Sequence, residues 1–287
     1  MSLNYDVFSV DPKPIPNQIP GFEEAVGPAT WPPSTSTLIW ADDGGALLVD
    51  CLITTSEATA LATWIRSHDR DLEYVYITHP HADHLLGLPA VLEAYPNAKP
   101  VALAETIGAM KEQVSPGYLK VWNAFFPGQL PDAPVVPAPL PGTSIPIGDV
   151  AATLVPVGTT DSDLSSVVHV PGLGLVVSGD VVYNQTHIWL RRSTPESRAS
   201  WKRALDTVAG LGADKIIAGH RHPQAIDDDA QRQIEESRQY IADFEAALAR
   251  SSSPLDLIDR MMAIHGDRAN PYTLWLAAYD QLGDKPA

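Results

Sequence analysis

Two rhythms of apolar residues run along this chain, and their alternation marks out its elements. Short aliphatic runs bounded by turn residues read as strands: Glu73 to Thr78, Pro100 to Leu103, Ser144 to Pro146, Val150 to Val157, Ser166 to Val170, Gly174 to Ser178 and Lys215 to Ala218. Ser36 to Trp40 and Ala46 to Asp50 predict a hairpin around the turn Asp42-Asp43-Gly44-Gly45. Between the strands, the 3.6-residue period of amphipathic helices covers Glu57 to Ser67, Leu85 to Tyr95 and Glu105 to Gln113. Ser193-Thr194-Pro195-Glu196 predicts a further helix start, with Ser193 as N-cap and the helix running to about Ala209.

The flanks follow different patterns. Residues 1–35 are rich in proline, which predicts an extended arm with no regular helix, held to the core by Phe8, Ile15, Ile19, Phe22 and Trp31. Residues 114–142 combine Tyr118, Trp122, Phe125 and Phe126 with a run of prolines, and read either as a flap or as a plain surface connection. The tail predicts helices over Asp228 to Arg250, Leu255 to Ile264 and Pro271 to Gln281. The organisation expected is an arm (1–35), one core (36–227) and a helical extension packed on it (228–287).

Composition narrows the function. A net charge of −16, from 19 Lys+Arg against 35 Asp+Glu, argues against a nucleic-acid partner, whose phosphates need basic side chains. The single cysteine, Cys51, excludes an intrachain disulfide and a multi-thiolate metal site, and its apolar setting predicts a buried thiol. No basic, apolar leader and no run long enough to span a membrane is visible, so the expectation is a cytoplasmic protein with no membrane partner. The substrate expected is a small molecule.

Chemistry concentrates in Thr78-His79-Pro80-His81-Ala82-Asp83-His84. Three imidazoles and a carboxylate within six residues are transition-metal ligands of the kind zinc takes. Alternate positions of an extended segment face one side, so His79 and His81 are placed to share a metal, with Asp83 and His84 turned toward a second. Asp50, closing a strand, is a candidate acceptor for a ligand histidine's other N–H, or else a turn cap.

The spacing His-x-His-x-Asp-His resembles the signature of the metallo-β-lactamase superfamily, over roughly residues 35 to 222. That resemblance implies an α/β fold, a four-layer αβ/βα sandwich, here with extra C-terminal helices. It also implies a bridging aspartate, matched by Asp180 in Ser178-Gly179-Asp180, and a last histidine, matched by His220 in Ala218-Gly219-His220. One ligand of the pattern is missing: in Val157-Gly158-Thr159-Thr160-Asp161-Ser162-Asp163, Thr159 stands where the third histidine belongs. A threonine hydroxyl is a poor zinc ligand. Three readings stay open: an aspartate substitute, a weak or empty first site, or a different loop register. Of the two aspartates, Asp163 is preferred over Asp161 for its longer reach from Gly158.

The resemblance implies one or two Zn2+ ions, with iron or manganese as alternatives, held by His79, His81, Asp83, His84, Asp163, Asp180 and His220. It implies a metallo-hydrolase acting through metal-activated hydroxide on an ester, lactone, thioester or amide. Asp83 would be both ligand and orienter of the nucleophile. Tyr183, Asn184 and His187, on the segment after Asp180, are candidate substrate contacts, with His187 as proton donor or oxyanion stabiliser. The alternative is a weakly active or non-catalytic small-molecule binder with a degenerate first site.

Overall fold

A computed structural model describes residues 2–42 and 45–283; positions 43 and 44 of the expected hairpin turn lie outside the described residues. The chain opens on β1 (Leu3–Val10), then β2 (Lys13–Pro14), the single helical turn α1 (Phe22–Ala25) and β3 (Thr30–Trp31). The hairpin of β4 (Ser34–Ala41) and β5 (Ala46–Val49) follows, then α2 (Thr55–Ser67), β6 (Leu72–Tyr76), α3 (Ala82–Leu85) and α4 (Leu88–Ala94). Next come β7 (Lys99–Leu103), α5 (Ile107–Gln113), α6 (Pro116–Phe125) and β8 (Ala138–Leu140). The second half holds β9 (Ser144–Ile147), β10 (Val150–Gly158), β11 (Ser165–Val170), β12 (Leu175–Gly179), α7 (Pro195–Gly210) and β13 (Lys215–Ala218). Three helices close the chain: α8 (Ala230–Leu248), α9 (Pro254–His265) and α10 (Pro271–Leu282).

Two sheets result, in strand order β1-β4-β5-β6-β7-β8 and β13-β12-β11-β10-β9, with β2 and β3 forming a separate small hairpin. Because successive side chains of a strand point to opposite faces, each sheet feeds two cores. Ile39, Leu47, Val49 and Tyr76 from the first sheet meet Leu154, Val168, Val177 and Ile217 from the second between the sheets. Their neighbours Leu38, Leu48 and Val75 face outward against Leu61 and Ile65 of α2 and Leu88 and Val91 of α4. On the far side, Val167, Val176 and Ile216 pack under Trp201 and Leu205 of α7 and Ile241 and Phe244 of α8. Strands covered on both faces must be apolar on both, which is why they read as continuous aliphatic runs. The layers are helix, sheet, sheet, helix. Among the described residues no helix is long and apolar enough to cross a membrane.

Three expectations need correction. The arm is not simply extended. Leu3–Val10 pairs antiparallel with β4 as an edge strand, sending Leu3, Tyr5 and Val7 between the sheets and Phe8 and Val10 to the outer core. The arm also contains a helical turn, pinned by Phe22 edge-on to Tyr272 and Trp275. The helix expected over Leu85 to Tyr95 is broken in two at Gly87, where a Cβ would sit 1.9 Å from the Cys51 carbonyl oxygen. Finally, the N-cap of α7 is Thr194, not Ser193: its hydroxyl accepts from the Ser197 N–H, and the Ser197 side chain returns the bond.

Topology gathers the chemistry at one edge. β5 and β6 run parallel, as do β12 and β13, so their C-terminal ends coincide pairwise. Asp50, the His79–His84 segment, Asp180 and His220 each follow one of these strands directly. β10 runs antiparallel to β11, and β11 to β12, so the end of β10 delivers residues 158–164 to that same edge.

Candidate metal centre

Sharp backbone turns set the ligands in place. Asp50 adopts a left-handed backbone (φ 63°), and so does Gly179 (φ 48°), where a Cβ would lie 2.5 Å from the Thr78 hydroxyl. Asp50 accepts the Thr78 N–H at 2.9 Å through Oδ1, and lies 2.8 Å from Nδ1 of His84 through Oδ2. The expectation that Asp50 would hold a ligand imidazole therefore matches its position. His220 is oriented similarly, its Nδ1 lying 2.9 Å from the Pro33 carbonyl oxygen. In each case the outer nitrogen is engaged and Nε2 is turned inward.

Two sets of donors converge. His79, His81, Asp161 and Asp180 form one group; Asp83, His84 and His220 form the other. Asp180 lies between them: its Oδ1 is 3.2 Å from His84 Nε2 and its Oδ2 is 3.1 Å from His220 Nε2. The aspartate that faces His79 and His81 is Asp161, with Oδ2 at 2.8 Å from His81 Nδ1 and 3.5 Å from His79 Nε2. A register shift between Pro156 and Gly158 releases this loop, and Gly158 takes a left-handed φ of 81°. Thr160, tied to Ser165 by hydroxyls 2.6 Å apart, then donates to Asp161 Oδ1, leaving Oδ2 inward. Asp163, the residue preferred on reach, is exposed, and its backbone carbonyl accepts the Thr159 hydroxyl at 3.1 Å. The loop's hydroxyl bonds decide the choice, and distance from Gly158 does not.

Buried polar groups in a folded protein almost always find a hydrogen-bond partner. Among the described residues nine buried side-chain atoms lack one, and four of them, His79 Nε2, His84 Nε2, Asp161 Oδ2 and Asp180 Oδ1, gather in these two groups. Imidazole and carboxylate donors left bare and converging fit a divalent metal. The electrostatics agree. Burial would raise the Asp180 carboxyl, but His220 and His84 overcome it and hold it well below the usual range. Burial would likewise lower His220, yet Asp180 and Asp83 push it up to about 10. His79, buried beside His84, is pushed down to about 4 chiefly by burial.

The sequence profile of the metallo-β-lactamase superfamily matches residues 29–220 of the 287. The chain belongs to that superfamily. Solved structures share its fold at low identity. A metallo-β-lactamase family protein from Thermus thermophilus is 18% identical, with a TM-score of 0.64 over 96% of this chain and 92% of that one. A β-lactamase domain protein from Burkholderia ambifaria is 18% identical, with a TM-score of 0.63 over 88% and 82%. The metallo-β-lactamase FIM-1 from Pseudomonas aeruginosa, in its mono-zinc form, is 18% identical with a TM-score of 0.55 over 74% and 84%. Among curated proteins, none matches this sequence.

The candidate substrate residues divide. Tyr183 reaches the centre: its hydroxyl donates to Asp180 Oδ2 at 2.8 Å, and burial with the nearby Asp180 charge pushes the phenol well above its ordinary value. Asn184 and His187 do not join it. The Asn184 amide donates to the Asp227 carbonyl and its oxygen accepts from Arg232, which ties a loop together. His187 is fully buried, with Nδ1 2.8 Å from the Tyr240 hydroxyl, and burial followed by Arg268 pushes it down to about 3. Buried against Tyr240, His187 belongs to neither donor group and presents no surface to a substrate.

Sequence reasoning missed one contact altogether. The Trp31 indole N–H donates to Asp83 Oδ2 at 3.1 Å, and both side chains are buried. Trp31 was an arm anchor by its apolar character alone; nothing in local pattern reveals a bond to a residue 52 positions away. Cys51 is buried, and burial pushes its thiol well up, consistent with a structural role.

Proposed function

We propose that the protein is a hydrolase of a small ester, lactone, thioester or amide, working with two divalent ions, zinc foremost. His79, His81 and Asp161 would hold one ion and Asp83, His84 and His220 the other, with Asp180 between them. Asp161 takes the place of the third histidine. The observation that carries this reading is the convergence of imidazole and carboxylate atoms in the two groups, four of them buried without a hydrogen-bond partner. When bound, such ions supply the Lewis acidity for hydrolysis at neutral pH.

The chain's own groups supply the rest. Asp83 orients the attacking water, Asp50 and the Pro33 carbonyl fix the imidazole rings, and Tyr183 steadies Asp180 through a neutral hydroxyl. No Ser or Cys nucleophile is required. A non-catalytic binder with a degenerate first site is the weaker reading, because Asp161 supplies a carboxylate where Thr159 cannot.

The test is elemental analysis joined to turnover on a panel of simple esters, lactones, thioesters and amides. Metal bound at more than one equivalent and chelator-sensitive turnover on one class are expected. Metal with no turnover on any class would favour the binder; less than a tenth of an equivalent after growth with added zinc would sink the metal centre itself.

A further inference from the structure

Trp31 reaches the two donor groups from the β2–β3 hairpin, where it pairs with Lys13, and not from either of the two main sheets. Four aromatic rings fix its orientation: Trp122 at 5.6 Å, Phe125 at 5.6 Å, Phe126 at 5.4 Å and Trp189 at 5.9 Å between centroids. Three of these belong to α6 and the residue that follows it, in the segment rich in prolines and aromatics. An indole has one polar atom and it is a donor only. Packed in this box, Trp31 has its N–H aimed at Asp83 Oδ2, the same oxygen that lies 3.4 Å from His220 Nε2.

We infer that Trp31 is the positioning residue for Asp83, fixing the rotation of its carboxylate so that Oδ2 faces the His84/His220 side of the centre. The inference rests on the reading of these residues as metal ligands. Asp83 sits in the short turn of α3, whose N-cap residue His81 makes no side-chain capping bond. A carboxylate oxygen carries two lone pairs, so Oδ2 can keep the indole bond while offering the other pair to an ion. Without the N–H, the carboxylate keeps only the looser approach of His220 Nε2 at 3.4 Å to orient Oδ2 before an ion binds. Donors of this outer kind typically change metal affinity about 10–100-fold when removed. The N-terminal hairpin and α6 thereby act on the metal centre through a single hydrogen bond.

The test compares wild type with Trp31→Phe, which keeps an aromatic ring but loses the donor together with part of the indole, using Co2+ as probe. Chelator competition should show affinity falling about tenfold or more, and the visible absorption bands of bound Co2+ should change shape or intensity. Trp64→Phe is the control: its ring packs on Phe8 and His68 in the core under α2 and not on Trp31, so the same truncation there should leave affinity and spectrum near wild type. Wild-type affinity and an unchanged spectrum in folded Trp31→Phe overturn the inference while leaving the metal centre standing. Failure of the wild type to bind Co2+ overturns both. A second measurement needs no variant. Of the seven tryptophan indole signals in 15N-labelled wild type, one should shift far more than the rest on adding Cd2+. A titration in which none is singled out also overturns the proposal.

Discussion

Asp50 serves His84 and the backbone of Thr78 at once, with Oδ2 2.8 Å from His84 Nδ1 and Oδ1 2.9 Å from the Thr78 nitrogen. One buried carboxylate thus steers a ligand ring and anchors the turn from which the ligand segment departs. Its left-handed backbone makes asparagine the cleanest replacement, since asparagine tolerates that conformation. Asp50→Asn is predicted to lower metal affinity by about 10–100-fold, because a neutral amide cannot orient and polarise the imidazole as the carboxylate does. Chelator competition measures it. Affinity within twofold of wild type would show that packing alone holds His84.

The loop after β10 offers a paired test. Asp161→Ala removes a carboxylate that faces His79 and His81, whereas Asp163→Ala alters an exposed side chain. Metal content should fall by about one equivalent in the first variant and stay at the wild-type level in the second. Thr159→His should change occupancy little, since Asp161 already stands in that place. A marked gain with Thr159→His would mean that Asp161 contributes nothing.

How much of this was legible depends on how local each signal is. His79, His81, Asp83 and His84 declare themselves because ligand chemistry demands those side chains at short spacing after a strand, whereas Asp180 and His220 are picked out by the family resemblance, which expects an aspartate and a histidine after two later strands. Asp161 and Asp163 cannot be separated that way. Their difference comes from a bulge in β10 and the Thr160–Ser165 hydroxyl contact, both products of strand pairing. His187 sits on a stretch that reads as loop, yet Tyr240 of α8 and Arg268 bury it. The β1 strand carried a clean alternation in Leu3, Tyr5 and Val7, overshadowed by the prolines that follow. The broken helix at Gly87 was set by contact with Cys51, which no helical period encodes.

His187 should leave a signature in the pH dependence of stability. Pushed down from 6.5 to about 3, it is neutral in the folded protein, while the unfolded chain protonates it near 6.5. Between these values the unfolded state holds a proton the folded state refuses, so stability falls as pH drops through that window and is unaffected above it. The effect approaches about 1.4 kcal/mol per pH unit for one fully buried group. His187→Gln should therefore lose stability less steeply than wild type between pH 6 and about 4 in denaturant unfolding, whatever its stability at pH 7. Parallel profiles for the two proteins would show that His187 titrates normally.

Gly219 tests how tightly the centre is built. A Cβ there would lie 2.4 Å from Asp180 Oδ1 and 2.8 Å from His84 Cε1, two side chains that converge on the metal-ligand cluster. Its φ is not in the left-handed region, so the conflict is steric: with these two side chains and with the Gly179 carbonyl carbon at 3.0 Å. They can relieve it only by moving, and Asp50 already fixes the His84 ring from behind. Gly219→Ala is predicted to cost about 1–3 kcal/mol of stability, the usual range for an added methyl in a packed interior. Metal affinity should fall at least about tenfold, as expected when ligand orientation is disturbed. The two effects are read separately, by unfolding of the metal-free protein and by chelator competition. A variant that loses stability yet binds metal like wild type would mean that Asp180 and His84 shift freely, and that the glycine serves the fold and not the site.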